Sequence, residues 1–435
     1  MPKKRVITAI DLGTEKCITI IAVVDEETGD LKVVGVSVVP AKGMKKSVIV
    51  DLDQVLSTIS QSLDAAERMA GFDVRSVYVA VSGTHVVSKN SKGVVAVAAP
   101  DQEITAHDVE RVIEAARAIS LPADTKIIHV IPRDFKVDSQ EGIKDPVGMT
   151  GVRFESEAHI ITGMSTTLRN LEKVINDLGL EVEGFVFAGL AAAEVVLSET
   201  EKELGAVVVD MGAGTTSISA YVDGALEYSG SVPVGARHIT QDIALGCRIS
   251  LDNAEKVKVL LSAEKDQGIF KPRAGESKEE MMRRRKKADK LDLAQNGIHE
   301  GIDTLSKRTV IEGIMIPRMK EIFELIGKDL EKHGVLDKIP AGIILCGGGA
   351  HTINIVDVAK RVLNLPVRIG EPFAMKGLVT DIQGPAFTVS IGLLLYGKSR
   401  GINQTTSVSI SSLFEGMDVR AMGNKLKGIF KSIMP

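Results

Sequence analysis

Apolar residues follow two rhythms along this chain. Where they run unbroken and stop at an acid and a glycine, a strand covered on both faces is predicted, because a half-exposed strand would alternate apolar with polar side chains. Arg5 to Ile10 is the first such run. It ends in Asp11, Leu12, Gly13, Thr14, Glu15 and Lys16 before a second strand, Cys17 to Val23. Ala206 to Val209 repeats the pattern, closing on Asp210, with Gly212, Gly214, Thr215 and Thr216 in the turn and a return strand over Ser217 to Tyr221. A third run, Gly342 to Cys346, meets Gly347, Gly348 and Gly349 and then a helix predicted over Ile353 to Leu363. The second rhythm is helical, with apolar residues recurring every three or four positions. It predicts helices over Leu52 to Ala70, Ala106 to Ser120, Thr167 to Leu178, Ala188 to Ser198 and Val310 to Leu330. Gly71 suits the end of the first of these, and Thr105 with Asp108 forms a capping box for the second. Further strands are predicted at Arg75 to Val81, Val86 to Ala98, Lys126 to Val137 and Val182 to Phe187.

The two acid-ended hairpins are one unit used twice, with their aspartates 210 − 11 = 199 residues apart. Duplication implies two similar α/β domains facing one ligand. Glycines let backbone N–H groups approach an anion without Cβ interference, and threonine hydroxyls add donors, so each turn is suited to phosphate. Asp11 and Asp210 are placed to hold the waters of a Mg²⁺ ion that neutralises phosphate oxygens. The strand, triple glycine and helix around Gly347 to Gly349 lack GxGxxG spacing, so no Rossmann fingerprint is met; close backbone approach to a nucleotide is expected instead.

Composition narrows the class. With 435 residues the chain is long for one core, so two lobes or more are expected. At 44% hydrophobic, 3% aromatic and no tryptophan, the cores must be aliphatic. A net charge of −4 gives no general attraction to nucleic acid, and the basic run Arg283 to Lys287 is flanked by Glu276, Glu279, Glu280 and Asp289, as on a solvated helix face. Cys17, Cys247 and Cys346 make no CxxC pair, and no signal-peptide core follows Met-Pro-Lys-Lys, which points to a reducing, cytoplasmic setting. The eight histidines form no HExxH, since Asp303 stands where the second histidine would, and no GxSxG occurs, so zinc and covalent catalysis are unsupported. No apolar run is long enough to span a bilayer.

Beyond Gly397 the chain turns polar, and 397–420 is expected to be a linker. In Ala421 to Met434, Met422, Leu426, Ile429, Phe430 and Ile433 share one helical face, with Lys425, Lys427 and Lys431 around it. Such a helix suits an anionic membrane surface. Each lysine contributes about 1 kcal/mol there, and a net of about −5 to −7 kcal/mol corresponds to a Kd between about 10 µM and the sub-millimolar range. One anchor is weak; a row of them in a homopolymer holds firmly.

These blocks resemble the actin-like ATPase superfamily. Asp11 to Lys16 is similar to its first phosphate motif, Asp210 to Thr216 to its second and Cys346 to Ala350 to its adenosine motif. Narrower matches resemble the bacterial cell-division FtsA family: Gly43-Met44-Lys45-Lys46, Asp145 to Met149 with Gly151, Arg153 and His159, Thr240 to Ala244, and Ala254 to Lys258. The resemblance implies a duplicated, ribonuclease H-like two-lobed fold. Residues 1–83 and 164–204 would form the first lobe, 84–163 an inserted peripheral subdomain, 205–396 the second lobe with a small subdomain over 246–335, and 421–435 the membrane helix. It implies ATP and Mg²⁺ as ligands, with Gly235 near the nucleotide and Glu255 and Lys258 reaching ribose and adenine. The implied partners are the C-terminal tail of FtsZ in the second lobe, further copies of the chain, and later division proteins through the inserted subdomain, all at the cytoplasmic face of the cell membrane at the division site. Three departures stand out. Ala188 occupies the place of a glutamate that positions the attacking water, with Glu194 only further along the helix, so hydrolysis is expected to be slow; Ala236 and Ser47 stand where the family usually has glycine. An actin-like pilus-assembly adaptor and a sugar kinase share the fold and are the alternatives.

Overall fold

The computed structural model describes residues 5–25, 28–97, 103–263, 277–300, 303–372, 376–377 and 382–406. The chain begins with strands β1 (Arg5–Leu12), β2 (Lys16–Val24) and β3 (Leu31–Pro40), continues through the small hairpin β4 (Met44–Lys45) and β5 (Val48–Ile49) into helix α1 (Leu52–Ala70), and returns to the sheet as β6 (Ser76–Val81). Asp51 caps α1 by accepting from the Gln54 N–H, and Gly71 ends it in the left-handed region at φ 80°, a conformation that costs glycine no Cβ clash.

An insertion follows: β7 (Val87–Ala96), α2 (Ala106–Arg117), β8 (Thr125–Val137), β9 (Gln140–Ile143) and β10 (Arg153–Met164). Its sheet, in the order β7-β10-β8-β9, is antiparallel. Thr105 and Asp108 close a capping box on α2, and a small separate core forms where Phe135 stacks on Phe154 at 5.6 Å beside Val112 and Ile104. The chain then resumes with α3 (Ser165–Asp177), β11 (Glu181–Phe187), α4 (Ala188–Val196) and α5 (Glu199–Leu204).

The second lobe repeats the first. β12 (Ala206–Met211), β13 (Thr216–Val222) and β14 (Ala225–Val232) form an antiparallel meander; then come α6 (Ala236–Cys247), α7 (Leu251–Ala263), α8 (Lys278–Ala288), β15 (Lys290–Asp292), β16 (Thr304–Ser306), α9 (Lys307–Val310), α10 (Ile316–Lys332), β17 (Gly342–Cys346), α11 (Ile355–Leu363) and β18 (Val367–Ile369). The chain then returns to the first lobe, which it was expected to leave for good at residue 205, as β19 (Lys376–Gly377) beside β3 and α12 (Thr388–Thr406) against β1. One sheet runs β11-β6-β1-β2-β3-β19 and the other β18-β17-β12-β13-β14. In each, the first strand lies antiparallel to the second and parallel to the strand that follows the helices. The first sheet is covered by α1, α3 and α12, and the second by α6, α10 and α11 on one face and α4 on the other. One aliphatic core therefore runs from the first sheet through α4 to Val208 and Ile344 of the second, and another fills the opposite face of the second sheet around Val207, Val209 and Ile343.

Two predicted elements change on folding. The helix expected over Val310 to Leu330 is interrupted by a π turn, Ile311–Met315, in which the Ile316 N–H donates to Ile311 O five residues back. Pro317 explains it: proline has no N–H for the carbonyl four residues earlier and its ring crowds that carbonyl, so the turn widens. The linker expected from residue 397 does not start there, because α12 continues to Thr406. Its first half is anchored by buried Val389, Ile391, Leu393 and Leu394, and each further helical residue adds a hydrogen bond to an existing nucleus, so polar residues extend it. The expected membrane helix, Ala421 to Met434, lies outside the described residues. Arg283 and Lys287 are exposed on α8. Among the described residues no helix is long and apolar enough to cross a membrane.

Candidate functional site

The equivalent hairpins β1–β2 and β12–β13 point their turns at one another across the cleft between the lobes. Both turns are built alike: the Gly13 N–H donates to Lys16 O at 2.9 Å and the Gly212 N–H to Thr215 O at 3.0 Å. They are close enough that a Cβ on Gly214 would sit 2.6 Å from Thr14 Oγ1. Between them lies a cavity of about 510 Å³, within the range of small-ligand sites.

Asp11, Gly13, Thr14, Glu15 and Lys16 line it from the first lobe; Asp210, Gly212, Gly214, Thr215, Glu255, Lys258, Gly347, Gly348 and Gly349 line it from the second. Burial raises the Asp11 carboxyl to about 6, against the opposing pull of Lys16. Burial, with the Asp11 charge adding to it, raises Asp210 to about 7. Lys16 is itself pushed below its ordinary value by burial while both aspartates pull it back up. Two carboxylates, Asp210 buried and Asp11 half-buried, beside one lysine prefer to share protons until further positive charge arrives. Among the described residues no three carboxylate, histidine or cysteine side chains converge as a metal cage. A pair of oxygen donors instead fits a hard divalent cation that keeps its waters and is carried by phosphates.

On α7, Lys258 is buried, and its Nζ donates to Glu255 Oε2 at 2.7 Å and Thr240 Oγ1 at 2.9 Å. The pair therefore belongs to the cavity wall and not to a solvated surface. Gly347 has φ 81°, and a Cβ there would fall 2.5 Å from Asp210 Oδ1, whereas Gly348 faces open space. Glu15 also bridges the lobes, accepting from Arg237 Nη1 at 2.9 Å.

Two predicted residues do not line the cavity. Thr216 is fully buried and its hydroxyl donates to Val234 O at 2.7 Å; the pleat turns Thr215 and Ser217 to the ligand side and Thr216 to the other. Gly235 serves packing: a Cβ would lie 2.5 Å from Gly212 O and 2.6 Å from Ala213 O. Its absence lets the first amides of α6, at Ala236 and Arg237, donate to those same two carbonyls at 2.9 Å. The wall also includes Ser47, Ser82, Ser217, Ser262, His351 and Thr352, which the motif reading missed. Ser217 had a signal in the alternation of its strand, and Ser47 stood out only as a departure from the family's glycine. Ala188 lines the cavity with a methyl group, and Glu194 is exposed on α4, away from the lining.

A family model described as "SHS2 domain inserted in FTSA" matches residues 83–162, and one described as "Cell division protein FtsA" matches 207–392. Cell division protein FtsA of Borreliella burgdorferi is 37% identical over 393 residues, covering 90% of this chain and 91% of the relative. That of Pseudomonas aeruginosa is 34% identical over 409 residues, 93% of each. The chain belongs to the FtsA family of cell division proteins. The fold of this FtsA-family chain is actin-like. It resembles the PilM-PilN type IV pilus biogenesis complex at TM-score 0.60 and 15% identity, over 90% of this chain and 98% of the other. It also resembles MreB 5 of Spiroplasma citri bound to AMPPNP at TM-score 0.53 and 16% identity, over 94% and 100%. Within the FtsA-family chain, the SHS2 match falls on the β7-β10-β8-β9 sheet and its helix.

Proposed function

We propose that this member of the FtsA family binds ATP with Mg²⁺ between its lobes, polymerises on the cytoplasmic face of the cell membrane, and tethers FtsZ filaments there during septation. The observation that carries the nucleotide reading is the pair of matching turns with Asp11, Asp210 and Lys16 between them. Asp11 and Asp210 would hold the waters of the ion, Lys16 and the hydroxyls of Thr14 and Thr215 would meet phosphate oxygens, and Glu255 and Lys258 would face the nucleoside. Mg²⁺, when bound, supplies positive charge at the phosphate oxygens. With a methyl group at Ala188, hydrolysis is slow, and the protein acts through which nucleotide it holds. Membrane attachment rests on the amphipathic pattern of 421–434 and partner docking on family membership. Later division proteins are assigned to the inserted subdomain.

Co-sedimentation with anionic liposomes, with and without Mg-ATP, tests the adaptor reading on the full chain and on one ending at Ser412. Pelleting of the full chain alone, strengthened by ATP, is expected. Equal pelleting of both chains, or of neither, refutes the anchor and returns attention to the pilus-adaptor reading.

A further inference from the structure

The hairpin β4–β5 pairs Met44 with Ile49 and Lys45 with Val48, so Lys46 and Ser47 alone make the turn. Both sit in the left-handed region, at φ 47° and 62°, the arrangement of a type I′ turn, which glycine or asparagine adopts freely and other side chains resist. Strain in a non-glycine turn persists only where its surroundings hold it. Here the surroundings are the phosphate turns. The Ser47 N–H donates to Thr14 Oγ1 at 3.3 Å, its hydroxyl shares a hydrogen bond with Thr215 Oγ1 at 2.8 Å, and the Ser82 hydroxyl donates to Ser47 Oγ at 2.9 Å. Ser47 thus joins a residue of the first phosphate turn to a residue of the second, across the cleft, at the tip of a segment that belongs to neither motif.

Thr14, Ser47, Ser82 and Thr215 all line the cavity, and as a cluster they are separate from the Lys258, Glu255 and Thr240 group on the second lobe. A nucleotide whose nucleoside lies against that second group extends its phosphate chain toward the hydroxyl cluster. Resting on the nucleotide reading above, we infer that Ser47 is a specificity-determining residue that distinguishes a nucleoside triphosphate from a diphosphate. In the ligand-free chain the Ser47 and Thr215 hydroxyls satisfy one another. An oxygen of the third phosphate accepts from both, and the hairpin tip turns from a contact between lobes into a contact with ligand. A diphosphate does not reach the tip and leaves the Ser47–Thr215 bond in place.

Two variants separate the hydroxyl from the backbone. S47A keeps a side chain in the left-handed turn and loses the donor; S47G loses the donor and relieves the turn, so it melts no lower than wild type. Affinities for ADP and for a non-hydrolysable ATP analogue are measured on full-length protein in Mg²⁺ buffer by calorimetry. Because a hydrogen bond to a charged oxygen changes affinity by about tenfold or more, both variants are expected to bind the triphosphate about tenfold more weakly and the diphosphate as wild type does. Equal loss of both ligands, or no loss of either, overturns the inference while leaving the nucleotide site standing. A wild-type protein that binds neither ligand overturns both.

Discussion

Charge at Asp11 and Asp210 offers the sharpest test of the cleft. Burial raises their carboxyls to about 6 and about 7 in the ligand-free protein, whereas a cation-bearing nucleotide demands both ionised. At pH 6, ionising Asp210 costs about a factor of 11 in binding and Asp11 about a factor of 2, each computed as one plus ten to the power of pKa minus pH. The two titrate as a pair, so Mg-nucleotide affinity is expected to fall on the order of tenfold between pH 8 and pH 6, with about one proton released per ligand bound at pH 6 and almost none at pH 8. Calorimetry in buffers of different ionisation enthalpy reads the protons directly. The nucleotide's own titration is common to wild type and Asp210→Asn, so the difference between their pH profiles isolates the protein group. Identical profiles for the two proteins would refute the argument. The sign for the ligand-free fold is the reverse of the usual carboxylate case. Folded pKa values raised above the unfolded one mean stability present at low pH and lost as pH rises through about 6 to 7.

Ala188→Glu places a carboxylate in the cavity wall and is expected to raise steady-state ATP turnover at least tenfold above a wild-type value below about 1 per second; an unchanged rate would show that the methyl group is not what limits hydrolysis. Gly235→Ala pushes a Cβ into Gly212 O and Ala213 O and is expected to destabilise the fold by about 2–4 kcal/mol and weaken nucleotide binding although the residue is outside the lining; a melting temperature and affinity like wild type would contradict the packing role. His129 and His159 are buried and held neutral, each down to about 3, so neither ring should titrate in NMR spectra between pH 7.5 and 5. Their depressed values remove stability as pH falls below about 6.5, opposing the aspartates, so global unfolding reports only the difference and the ring signals are the proper readout.

His159 also shows how the inserted subdomain is tied in. Its Nε2 meets Ser229 Oγ at 3.0 Å and its Nδ1 meets Asn90 Oδ1 at 2.6 Å. Asn90 Nδ2 donates to Glu227 O and the Ser229 N–H to Ser88 Oγ. Arg133 bridges Glu157 of its own sheet and Glu227 of β14. The insertion leaves and rejoins the chain in the first lobe but hydrogen-bonds to the second. No spacing in the sequence announces a contact between Asn90 and Glu227.

Unbroken apolar runs, each ended by an acid and a glycine, were enough to place the strands before Asp11 and Asp210 and to expose the duplication. A covered strand and its turn are local, and every residue that makes them is adjacent in the chain. The same locality located the glycines after Cys346, whereas Glu255 and Lys258 came only from the resemblance of Ala254 to Lys258 to the family. What tertiary structure decided is whatever depends on how far an element continues or what lies opposite it. Thr216 turns away from the ligand because the pleat of β13 sets its parity, and α12 runs past Gly397 because its buried first half nucleates the polar second. Pro317 opens the helix before it into a π turn. Ser47 and Ser82 reach the cleft because the β1–β2 sheet, the small hairpin and the second lobe close around one cavity. Local pattern carries backbone conformation; the identity of a neighbour comes only from packing, since it depends on segments far apart in the chain.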